Sequence, residues 1–262
     1  MDRTNITPRA TPPITRRRKA HGPSARPRWL VGATLLAAAA ALWLGIDELA
    51  RSARHSQLIS TARSLSAGAD ISATALASAE RQAMALIEDD ECRADILRAG
   101  LTVMLANLDR QNSFHRYEAW AAAMTDGDAY VVHAIGCTPT DGDLWARLAM
   151  IRLAIAENPD ELAWLMQRSI EYAPAEYAVL VPRFVVWRKA SAASLAAAQD
   201  AVEADLLTLL TYASAKQIAA TLADSGTSLK PFIRASLRLI PRDRRDGLFA
   251  AGLDPDLRPD AP

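Results

Sequence analysis

The chain has 262 residues, half of them hydrophobic, with only 11 glycines and with 30 basic against 30 acidic side chains. That composition excludes a collagen-like or wholly disordered chain and leaves room for a sizeable core. The net charge of zero is made of two opposed parts, because residues 1–28 carry +7 and the remainder −7. A basic arm of this kind can bind nucleic acid or anionic lipid, and the apolar run directly after it decides for lipid.

Residues 1–28 contain five prolines as well as the basic cluster, so a disordered tail is expected there. Trp29 to Ile46, WLVGATLLAAAAALWLGI, is eighteen residues without a charge. As a helix it spans about 27 Å, close to the thickness of a bilayer's hydrocarbon core. Trp29 and Trp43 stand near its ends, where aromatic rings favour the interface. Cleavage at an Ala-x-Ala site near Ala39 would leave LWLGI as an exposed new terminus, so an uncleaved anchor is expected. Lys and Arg favour the cytoplasmic side. The tail is therefore expected in the cytoplasm and residues 47–262 outside the membrane, on a single-pass protein.

Beyond the anchor, residues 47–70 read as a juxtamembrane helix or linker, 71–253 as a helical domain and 254–262 as a disordered tail. No alternating strand pattern or hairpin signal interrupts the helical periodicity. A helix over Ile71–Ile87 is followed by one opening at DDECRADIL, with its acids in the first turn. Ser113 is placed to cap a helix bearing Phe114, Tyr117, Ala121 and Met124 that stops at TDGD. A short helix over Ala129–Ile135 then ends at Gly136 in a left-handed turn. Thr140-x-x-Asp143 resembles a capping box for a helix with Leu144, Trp145, Leu148, Ile151 and Ile155 on its apolar stripe. Glu161–Tyr172 is its partner. Residues 176–189 and 194–212, then 215–223 and 231–239, make two further pairs, with Pro182 expected to kink its helix or mark its first turn.

Two cysteines, Cys92 and Cys137, are the whole supply. In an oxidising compartment such a pair tends to form a disulfide, and a bridge is expected to staple two helix ends. Without Cys-x-x-Cys, a phosphate loop, a nucleophile elbow or His-Glu-x-x-His, no metal, cofactor or catalytic constellation is expected. His115 and His133 read as ordinary helix residues. The carboxylate pairs Asp89/Asp90 and Asp141/Asp143 read as helix-start caps.

Serial helix pairs raise the question of repeats. The segment CTPTDGDLWARLAMIRLA to EYAPAE resembles a tetratricopeptide repeat: Trp145, Leu148 and Ala149 fit its opening, Leu162 and Met166 its second helix, and Pro174 its closing proline. Ala149 stands for glycine, Arg152 for tyrosine and Leu162 for alanine, and one extra residue separates the helices. The resemblance implies an all-α chain of helical hairpins, as a solenoid or an irregular bundle, behind one transmembrane helix. It also implies a partner-binding face through Asp143, Ala146, Met150 and Leu153, which Arg183 and Trp187 would extend. With its basic tail, its single anchor and the segments CRADILRAGLTVMLANLD, CTPTDGDLWARLAMIRLA and EYAPAE, the layout resembles small membrane proteins of bacterial exopolysaccharide gene clusters. That likeness implies a periplasmic scaffold at a bacterial inner membrane for an envelope protein of the polysaccharide synthesis or export machinery, binding no nucleic acid. Two other readings stay open. One is a glycan-binding or glycan-modifying protein using the aromatics between Trp145 and Trp187, Arg183 or Arg188, and acids from Glu161, Glu171 and Glu176. The other is an assembly factor of the kind used in cytochrome maturation.

Overall fold

The computed structural model describes residues 28–259, which contain thirteen α-helices, one 3-10 turn and no strand. The basic tail before Arg28 and the last three residues lie outside the described part. The first helix, α1, runs Arg28–Arg54. It is the one helix among the described residues long and apolar enough to cross a membrane. Trp29, Leu36 and Trp43 are exposed along it. The helix does not stop with the apolar stretch: Asp47 and Arg51 pair across one turn at 3.1 Å.

The helical domain begins at α2, Ser56–Ser66. Of the two readings of residues 47–70, helix or linker, the helix holds over most of the segment, with Leu58 and Ala62 buried. Ser72 caps α3, Ala73–Glu88, by accepting the Ala75 amide. Asp89 and Asp90 close α3 and do not start the next helix, which is a correction to the capping expectation. Asp90 is left-handed, φ 48°, and the Glu91 amide donates back to the Leu86 carbonyl. Helix α4, Ala94–Asp109, then buries Ile96, Leu97, Val103 and Met104.

Helix α5 runs unbroken over Tyr117–Cys137, through the TDGD segment expected to end it. Gly127 is there for closeness: a Cβ would stand 3.1 Å from Leu108 Cδ1. Asp128 on the next position pairs with Arg152. Nor does Ser113 cap this helix; Asn112 takes the amides of Phe114 and His115, and Phe114 is left in solvent ahead of it. Gly136 is helical, and the helix ends one residue later.

Asp141, not Thr140, caps α6, Gly142–Ile155, by accepting the Asp143 amide. Asn158 caps α7, Pro159–Tyr172, with proline in the first turn. The two helices close where Gly142 meets α7: a Cβ would lie 2.6 Å from Ala173 Cβ and 2.7 Å from the Ser169 carbonyl. Helix α8, Tyr177–Lys189, carries Pro182 inside it and continues past it. Ala198 divides the expected single helix into α9, Ala192–Ala197, and α10, Gln199–Tyr212. A capping box between Ser214 and Gln217 opens α11, Ala215–Leu222. Helices α12, Lys230–Leu239, and α13, Arg242–Ala250, complete the set.

Packing runs mostly between near neighbours in sequence: α4 lies on α2, α3 and α5, α6 on α5, α7 and α8, and α10 on α7 and α12. The expected disordered tail is instead ordered to Pro259. Pro255–Leu257 forms a 3-10 turn with Leu257 fully buried. Lys230 approaches Asp254 and Asp256 at 3.5 and 3.7 Å, Arg234 donates to the Asp256 carbonyl, and Arg238 donates to that of Pro259.

Candidate partner-binding groove

A groove of about 670 Å³ crosses α4, α6 and the start of α8. Its floor is apolar because Leu97, Leu101, Leu144 and Val179 come up from the core with only their edges exposed. Gly100 leaves the space into which the Tyr130 ring projects, and the buried Tyr130 hydroxyl donates to the Leu97 carbonyl at 2.8 Å. Burial pushes the Tyr130 phenol well above its ordinary pKa, so it stays a donor. A second depression of about 640 Å³ shares Ala94, Arg98 and Thr102 with the first and extends it over α2 to Ile59 and Arg63.

The rim is charged, and two of its ion pairs are matched within the chain. Arg147 Nε lies 3.2 Å from Asp143 Oδ1, one helical turn back, and Arg98 Nη2 lies 3.5 Å from Asp141 Oδ2. The apolar floor is therefore flanked by charges of both signs, with Asp141 and Asp143 together at the start of α6.

Of the residues expected on the binding face, Asp143 stands on this rim. Met150 and Leu153 are half-buried against the core, and Ala146 is fully buried. Arg183 and Trp187 are also fully buried and present no surface. Arg183 Nε reaches both Asp205 carboxylate oxygens, at 3.1 and 2.9 Å, and its Nη1 donates to the Ala173 carbonyl at 3.0 Å. Trp187 Nε1 donates to Asp205 Oδ2 at 2.9 Å, and Ser169 Oγ, beside Arg183 Nη1, donates to the Gly142 carbonyl. Burial raises the Asp205 pKa, against the pull of Arg183 and the indole N–H. This cluster ties α6, α7, α8 and α10 together, and it is structural.

Cys92 and Cys137 stand at bonding distance, 1.97 Å between sulfurs and 5.2 Å between Cα atoms. They join the residues just before α4 to the last residue of α5, beside the groove's Arg98–Asp141 edge. The aromatics expected to gather do not form one patch. Trp145 and Trp164 meet edge to face at 5.3 Å, with Arg168 over Trp164, while Phe184 and Trp187 are core. Arg188 is spent on the carbonyls of Phe184 and Ala223. Glu161 is paired with Arg152, Glu171 with Arg168, and Glu176 lies at the groove's end before α8. Sequence reasoning missed Arg98, Thr102 and Arg147. Their signal was the spacing of four in Arg98-x-x-x-Thr102 and Asp143-x-x-x-Arg147, which sets each pair on one helix face.

No protein-family model, curated protein or solved structure matches the chain.

Proposed function

We propose that the protein is a membrane-anchored scaffold that holds a segment of an envelope protein in the groove over α2, α4, α6 and α8. The observation that carries this reading is the groove itself: an apolar floor flanked by the matched pairs Arg147–Asp143 and Arg98–Asp141. A partner's amphipathic helix or extended segment can bury apolar side chains on Leu101, Leu144 and Val179 without stripping water from an unpaired charge. The helix α1 supplies the anchor, and the positive-inside preference of the basic tail favours a groove on the exported side. On the resemblance to proteins of exopolysaccharide gene clusters, the partner belongs to a polysaccharide assembly or export system.

Photo-crosslinking in native membranes tests this. A crosslinking residue at Thr102, in the groove, is expected to give one discrete protein adduct, and one at the exposed Gln167 of α7 none. Arg147→Glu, which sets three acids along one rim, is expected to weaken the Thr102 adduct. Equal adducts from both positions, or adducts that contain polysaccharide and no protein, would sink the reading. A polysaccharide result would favour the half-exposed Trp164 and its neighbour Arg168 as a sugar-stacking face.

A further inference from the structure

Cys92, His133 and Cys137 form a cluster whose metal-ligating atoms all lie within 4.8 Å of one another. No spacing motif announces it, because His133 stands 41 residues beyond Cys92. His133 and Cys137 are one turn apart on α5 and so share a face, and the turn between α3 and α4 brings Cys92 to that face. His133 Nε2 lies 3.8 Å from Cys137 Sγ and 3.1 Å from the Glu91 carbonyl oxygen. Cys92 is exposed and the other two are half-buried, so the cluster is open to solvent on one side.

We propose that opening this bridge creates a two-thiolate, one-imidazole site for a thiophilic divalent cation of the Zn²⁺ class. While oxidised, the sulfurs carry no thiolate, and thiolate is the form that binds metal. A dithiol that attacks the exposed Cys92 side breaks the sulfur–sulfur bond, leaves two thiols and departs as its own disulfide. The cation then displaces one proton from each thiol and binds His133 at Nε2, which leaves the Glu91 carbonyl as the neutral ring's one proton passes to Nδ1. Zinc bonds of about 2.3 Å to sulfur and 2.0 Å to nitrogen hold such donors within about 4 Å of each other. With the Cys92 and Cys137 Cα atoms 5.2 Å apart, the sulfurs reach that spacing by side-chain rotation alone. The fourth position faces solvent on the Cys92 side and takes water or an external ligand. The bound cation ties the start of α4 to the end of α5 again, so the same helix junction has a covalent staple when oxidised and a coordinate one when reduced.

The test uses the full chain in detergent, reduced with a dithiol that is then removed under inert gas. Co²⁺ is expected to bind at one equivalent with thiolate-to-metal charge-transfer absorption that Zn²⁺ bleaches, while the oxidised chain shows none. His133→Ala is expected to weaken Co²⁺ binding by at least the roughly tenfold that loss of even an outer-shell partner costs. As a check independent of that variant, Zn²⁺ is expected to protect both thiols of the reduced parent chain from alkylation. Absence of the charge-transfer band, unprotected thiols, or unchanged affinity in a helical His133→Ala chain would each overturn the site.

Discussion

In α2–α5 the ion pairs lie at the surface and the strongest constraint on the chain is covalent, whereas α6–α10 close around an arginine and an aspartate that see almost no water. The two halves of the domain are thus fixed by opposite means. A disulfide acts chiefly on the unfolded chain, whose loop it shortens, and leaves the folded contacts as they were. A buried ion pair acts in the folded state, where its attraction roughly offsets the cost of taking two charges out of water. Such a pair adds little net stability but makes any incomplete packing costly. The first region tolerates local change as long as its two ends stay tied. The second tolerates almost none at the junction of α6, α7, α8 and α10, which supports the far side of the groove.

The largest expected effect breaks the second region. Asp205→Ala leaves the Arg183 guanidinium buried without its partner and is expected to cost about 3–5 kcal/mol in denaturant unfolding. The double change Arg183→Met with Asp205→Leu is expected to recover most of that loss, because it removes both charges together. If the single and double variants are equally unstable, the cluster matters for its volume and not for its charge.

Next comes the staple. Reduction of a bridge spanning 45 residues is expected to cost at most about 4 kcal/mol in the loop-entropy account. The oxidised and reduced chains compared by denaturant unfolding measure it. A loss near zero would mean that α4 and α5 hold their junction without the bridge, and the contrast between the two regions would disappear.

The smallest effect sharpens the surface side of the comparison. Burial, reinforced by nearby Asp126, raises the Glu80 pKa above its ordinary 4.5. The folded protein therefore holds that proton to higher pH than the unfolded chain. Stability falls as pH rises from about 4.5 through the raised value. Glu80→Gln keeps an acceptor for the Asn107 amide and removes the charge. It is expected to raise the melting temperature slightly at pH 7 and to leave it unchanged at pH 4.

Periodicity carried the helical class and most helix positions, a run without charge carried the long apolar helix, and a cysteine count of two carried the pairing. What failed had one origin, since a residue type was given its commonest meaning where a distant neighbour gave it another. Asp126-Gly127-Asp128 reads as a helix stop, yet Gly127 is small to admit Leu108 and Asp128 is charged to meet Arg152. Arg183 reads as surface because its acid lies 22 residues away on α10, beyond any local window. On the candidate face, the step from helix to face was one position out. Ala146 points inward, and its neighbour Arg147 stands on the rim beside Asp143.

The tail that folds onto α12 changes what that helix offers the outside. Lys230, Arg234 and Arg238 recur every four residues and on their own would make a cationic track for phosphate or acidic polymer. Asp254 and Asp256 and the carbonyls of Asp256 and Pro259 already occupy that track. The seated Leu257 adds an apolar pin to the electrostatic hold. An anion arriving from outside must compete with a tethered pseudo-ligand present at high effective concentration. The donors of Lys230, Arg234 and Arg238 are therefore already engaged within the chain, Lys230 by two carboxylates and the two arginines by carbonyl oxygens.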